Sequence, residues 1–230
     1  MQPGVYQMTF RGLTFKEAWR FGKEPFKFTI AVVLKFVGFK GPKQWLPPHE
    51  CESPCDESSL SAGARQQMTP LIEQARALGY ATGQFTILSR NLDAHTKEGF
   101  AYTALHSDKV RSLFIGYVAS DASGILRRTV SVTGGLSTPE QEVEFVNHPH
   151  YFDSGPWARK IQVAGKAVRD LDLAMQEFMA AARTTPRQFS SVTEMRAHSA
   201  MMGIRDYEAR IARGLFEYIG DEAPALPLRQ

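Results

Sequence analysis

Cysteine is scarce in this chain, with Cys51 and Cys55 the only two in 230 residues. Two thiols cannot build a disulfide framework, and the simplest setting they imply is a reducing, cytoplasmic one. Long hydrophobic runs are also missing. The longest, Phe28 to Phe39 (FTIAVVLKFVGF), spans 12 residues and contains Lys35, whereas a helix crossing a bilayer needs about 20. It does not read as a secretory h-region either, because it leads into Gly38-Phe39-Lys40-Gly41-Pro42 rather than a small-residue cleavage site. There is no internal repeat and no low-complexity tract. Local catalytic signatures are lacking too: no G-x-S-x-G elbow is present, and Gly134-Gly135 is without the lysine and helix of a phosphate loop. These absences exclude a disulfide miniprotein and a helical membrane protein, and they point to no particular reaction.

What is present is an ordinary globular composition, 43% hydrophobic and 22% charged, with a net charge of +3 that conceals an uneven distribution. Residues 1 to 45 hold eight Lys or Arg against Glu17 and Glu24, a net of +6, which leaves −3 for the other 185 residues. The same stretch holds ten of the 25 aromatics, interleaved with the basic residues. Lysine heads beside Phe and Trp rings suit the interface of an anionic membrane, so Lys35, Phe36, Phe39, Lys40, Lys43 and Trp45 are the candidate contact residues for a membrane surface or a protein partner. The competing expectation is that Phe28 to Phe36 form a core strand or helix, with the lysines snorkelling outward. Nucleic acid is disfavoured, since the remainder is acidic and no RNP1-like signature occurs.

The pattern predicts an α+β protein. Residues 1–45 read as a basic aromatic N-terminal arm and residues 46–59 as a Pro-rich acidic linker. Residues 60–220 read as the α+β domain and 221–230 as a loose tail. Within the domain, a helix is expected from about Leu60 to Leu78, stopped by Gly79. Alternating residues then predict an antiparallel meander of three to five strands between 80 and 146. A seam through Trp157, Ile161, Ala164, Val168, Leu171, Met175, Phe178 and Ala182 predicts one long helix, and a second helical pattern from Val192 to Ile219 completes a helical hairpin.

Two metal-capable groups stand out. His49, Cys51 and Cys55 lie close in sequence, and His148, His150 and Asp153 sit between the sheet and the following helix. Together they would offer a Cys₂His₂ set, or an oxygen ligand from Asp153, for Zn²⁺. The acids around the thiols argue against an activated cysteine. The sequence reading is therefore a non-enzymatic binding or scaffolding protein that docks through its N-terminal arm. The alternative is a metal-dependent hydrolase or small-molecule binding protein using the His148 and His150 region, with no cofactor expected on the first reading and Zn²⁺ on the second. A further expectation is a ligand cavity beneath the long helix, lined by Phe85, Phe100, Tyr102, Tyr117 and Phe178.

Overall fold

The computed structural model describes residues 1–22, 24–46, 52–88, 96–122, 125–147, 153, 155–164, 167–182 and 185–220. Among these residues it is a mixed α/β protein with five α-helices and two sheets, antiparallel in all but one pairing. The larger sheet has seven strands in sequence order: β3 (Glu52–Cys55), β4 (Thr82–Leu88), β5 (Thr96–Leu105), β6 (Ser112–Ala122), β7 (Ile125–Ser137), β8 (Glu142–Val146) and β9 (Ala158–Gln162). Period-two alternation divides its residues between two faces. Phe100, Tyr102 and Ala104 of β5, Leu113, Ile115 and Tyr117 of β6, and Val143 and Phe145 of β8 all point to one face and are buried.

That apolar face is covered by α3 (Ala62–Ala77) and α4 (Val168–Ala181). Ala64, Met68, Ile72 and Ala75 of α3 follow helical spacing and are fully buried, as are Val168, Leu171 and Met175 of α4. Ser61 caps α3 by accepting from the Ala64 amide at 3.2 Å. Each fully buried large side chain contributes on the order of 1.5–3 kcal/mol, so this layer holds the main core.

The sheet is wider than the three to five strands expected, and both additions have a physical reason. β3 comes out of the presumed linker: Pro54, which cannot donate to a ladder, is accepted because β3 lies at the sheet edge. β9 takes the first turns of the presumed long helix. Ile161 packs on the core by either period, and joining β8 in parallel pairs backbone groups along an otherwise open edge. The helix begins only at Val168, where the Asp170 carboxylate accepts from the Ala167 amide at 3.0 Å.

The two late helices do not form a hairpin. α5 (Val192–Ala212) lies over the opposite face of the sheet, where Val192 and Met195 pack with Leu105 and Phe189, so the sheet separates α4 from α5. Residues 1–46 fold as β1 (Gly4–Thr9), α1 (Phe15–Gly22), α2 (Pro25–Val37) and β2 (Lys40–Leu46). β1 sits in the middle of a three-stranded antiparallel sheet between β2 and β10 (Phe216–Gly220), which joins the two ends of the chain. Gly12 is required at this junction, since a Cβ there would lie 2.2 Å from the Leu215 amide nitrogen. Among the described residues, no helix is long and apolar enough to cross a membrane.

Candidate functional site

Among the described residues, the α1–α2 pair carries half of the exposed large apolar side chains, and it is tied to the body through α1. Thr14 and Glu17 form a capping box: the Glu17 amide donates to Thr14 Oγ1 at 3.1 Å, and the Thr14 amide donates to Glu17 Oε2 at 2.8 Å. Glu17 is fully buried, and Arg213 beyond α5 grips it with both terminal nitrogens, at 2.6 and 3.0 Å. The Asp153 amide adds a fourth donor to Glu17 at 2.6 Å.

α2 is held at both ends. Pro25 occupies its first turn, where a missing N–H costs nothing. Gly38 closes it in the left-handed conformation with φ of 67°. Lys35 donates at 2.6 Å to the carbonyls of both Arg11 and Leu13, tying α2 to the turn before α1. Inward, Ala31 is buried and Phe28 meets Trp19 edge-on at 5.3 Å.

The outward face is apolar as well. Phe26, Ile30, Val33 and Val37 follow each other at intervals of four, three and four, a single helical stripe, and all are exposed. Phe26 is 76% exposed and its neighbour Phe36 73%, values normally found for charged side chains. Phe15 and Trp19, one turn apart on α1, and Phe39 beyond α2 are exposed too. Soluble proteins seldom expose so many large apolar groups together unless the surface is used. Around them lie exposed Arg11, Lys16, Lys27, Lys40 and Lys43. Lys27 pairs with Glu24 at 3.0 Å and Lys40 with Glu217 at 3.2 Å.

Of the expected contact residues, Phe36, Phe39, Lys40 and Lys43 are thus exposed here. Lys35 is occupied by the two carbonyls it caps. Trp45 is placed in β2 opposite Val5, and its side chain lies outside the described residues. The reading of Phe28, Ile30, Val32, Leu34 and Phe36 as core does not hold for Ile30 and Phe36, which are exposed. Sequence reasoning missed Phe15, Trp19, Phe26, Ile30, Val33 and Val37. The four-three-four spacing was readable, but α2 is apolar on both sides, so periodicity does not tell which side is covered.

The metal candidates are not brought together among the described residues. Cys51, His148 and His150 lie outside them, as do His49 and His95. Cys55 is half-buried on β3, where burial and then the neighbouring Asp56 push its thiol pKa up, away from the thiolate a metal needs. Asp153 is engaged by Arg20 at 2.6 Å. Among the described residues, no group of three or more His, Cys, Asp or Glu is arranged to hold an ion. The aromatics expected to line a cavity pack instead: Phe85 and Tyr102 lie 4.8 Å apart, and Phe178 meets Phe145 at 5.7 Å.

A second concentration of charge is structural. Arg111 bridges Asp172 of α4 at 2.5 Å and Asp108 at 2.7 Å, and Tyr80 donates to the same Asp172 at 2.7 Å. Burial alone would raise Asp108, but the amides of Val110 and Arg111, the Arg111 guanidinium and His106 outweigh it and hold the carboxyl down to about 2. The network fixes α4 to the β5–β6 turn, in which Lys109 is left-handed with φ of 62°. No family model, curated protein or solved structure matches this chain.

Proposed function

We propose that this protein is a non-enzymatic binding module that docks on an anionic membrane surface through the α1–α2 pair, which serves as its basic aromatic docking arm. The observation that carries the reading is the outward apolar stripe of Phe26, Ile30, Val33 and Val37, continued by Phe36 and edged by lysines. A helix with this pattern lies in the plane of the interface, rings among the acyl chains and ammonium groups toward phosphate. Transfer of each large apolar group from water is worth about 1.5–3 kcal/mol, and each lysine near an anionic leaflet about 1 kcal/mol. The leaflet facing the cytoplasm carries that charge. The rigid attachment of α1 through Glu17 and Arg213 means the arm would carry the whole body to the membrane.

Co-sedimentation with phosphatidylcholine vesicles, with and without phosphatidylserine, tests this. Wild-type protein is expected to pellet with the anionic vesicles and to be released by high salt. A Phe26→Ser/Ile30→Ser/Phe36→Ser variant, altered only at exposed positions, should keep its urea midpoint and lose at least tenfold in vesicle affinity. Equal recovery of wild type and variant would overturn the proposal, and concentration-dependent dimerisation abolished by the same variant would assign the stripe to a second copy of the chain instead.

A further inference from the structure

The face of the large sheet turned away from α3 and α4 is not sealed by α5. Alternation places Gln84, Thr103, Thr133, Glu142 and Lys160 on it beside Leu105, Phe114 and Val146, a mixed surface on which α5 packs through Val192 and Met195 at Leu105 and stands off elsewhere. Long polar links hold α5 over it instead. Arg196 reaches Glu52 at 2.5 Å and Gln84 at 2.8 Å, and Ser199 donates to Glu142 at 2.9 Å. Between helix and sheet lies a cavity of about 700 Å³, well within the range of small-molecule sites. Phe114, Val146, Met195 and Met202 give it an apolar wall. Gly203 of α5 also lines it, and a Cβ built there meets nothing within 4 Å.

The charged groups at this cavity are matched in pairs, with one exception. Glu52 has Arg196, Glu144 has Lys160 at 3.0 Å, and Asp206 has Arg210 at 2.5 Å and the Gly155 amide at 2.9 Å. Glu142 has the Ser199 hydroxyl and no cation among the described residues. A carboxylate withdrawn from water with only a neutral partner is costly in its ionised form. Accordingly, burial, which outweighs the Ser199 hydrogen bond, pushes the Glu142 pKa up to about 7, with the charge of Glu144 adding to the rise.

We propose that this cavity binds a small organic cation, an amine or quaternary ammonium with an apolar body, its charge against Glu142 and its body against Phe114, Met195 and Met202. The cation supplies the one ion pair the site lacks, whereas an anion would meet an excess of carboxylates. Methionines adapt to an irregular apolar body, and the Phe114 ring adds to the same apolar wall. The site is separate from the α1–α2 surface and does not rest on the membrane reading.

Isothermal titration with hexyltrimethylammonium tests it, with hexanol and hexanoate as same-chain controls. The cation is expected to bind at least tenfold more tightly than either control. Glu142→Gln should weaken it at least tenfold. Gly203→Phe should abolish binding by filling the cavity, while its thermal midpoint stays at or above wild type because a helical glycine has been replaced. Affinity for the cation should rise about tenfold from pH 6 to pH 8 as a carboxyl of pKa about 7 ionises. Glu52 from β3, Glu144 and Lys160 from β8 and β9, and Arg196, Asp206 and Tyr207 from α5 face the same space, so the rise is assigned to Glu142 by its disappearance in Glu142→Gln. Equal binding of hexanol, or affinity that falls as pH rises, would overturn the cation assignment. Binding that survives Gly203→Phe would overturn the site.

Discussion

Glu17 is a carboxylate with no exposure to water, met by the Thr14 and Asp153 amides and by both terminal nitrogens of Arg213. A buried charge persists only when its partners replace the hydration it has lost, and here four donors do so. Glu17→Gln keeps the shape but leaves the guanidinium without its anion and offers an amide donor where donors already converge. The expected cost is about 3 kcal/mol of unfolding free energy, read as a lower urea midpoint at pH 7. An unchanged midpoint would show that the fork contributes nothing net. Because the same fork fixes α1, vesicle binding in Glu17→Gln should fall although no exposed residue has changed. Gly12 works with it: its lack of a side chain lets the chain pass against Leu215, so α1 starts where Arg213 can reach it.

Elements differ in how much of them the sequence displays. β4 to β8 and α3 are visible because each repeats its own period over enough residues, with Gly79 ending α3 and polar turns between the strands. α4 is visible only from Val168, since Ile161 satisfies a strand and a helix equally and nothing local shows that β8 has an edge to be filled. β1, β2 and β10 are not visible, because the pairing of Val5 with Gly220 joins residues 215 positions apart, which no window of sequence contains. The basic aromatic stretch is recognisable from composition, and two of its rings, Phe36 and Phe39, are among those exposed, but the stripe from Phe26 to Val37 differs from a core stripe only in what covers it. The cavity was expected on the aromatic face because aromatics permit either a void or a filled core. It lies on the opposite face, where Ser199 meets Glu142 across 57 residues of sequence and Arg196 meets Glu52 across 144. Paired charges of that kind leave no trace in local spacing.

Taken whole, the molecule uses α5 twice: its middle roofs the cavity, while its C-terminal end carries Glu208, bonded to the Met1 amino group at 2.6 Å, and leads to Arg213 on Glu17. Stability of the whole should vary with pH through two carboxyls of opposite sign. Asp108 lies at about 2 when folded against an ordinary 3.8, so it stabilises the fold above pH 4, and that contribution is lost as pH falls toward 2. Its partial exposure limits this to about 1 kcal/mol. Glu142 lies at about 7 when folded against an ordinary 4.5. The folded state therefore holds its proton more tightly than the unfolded chain, and stability declines as pH rises from 4.5 through 7, by up to about 3 kcal/mol. His198, whose pKa is lowered chiefly by burial and then by Arg187 and Arg205, acts in the opposite direction near neutrality, so the slope must be read against a variant. Urea midpoints across pH 2.5 to 9 should place maximal stability near pH 4 to 5 for the wild type. Glu142→Gln should remove the decline toward pH 8, and Asp108→Asn should flatten the acid limb. Hexyltrimethylammonium should raise the wild-type midpoint at pH 8, where the unpaired carboxylate is costly, and raise that of Glu142→Gln less. A wild type whose stability rises steadily from pH 5 to 8, with Glu142→Gln following the same curve, would show that Glu142 is already compensated in the folded protein.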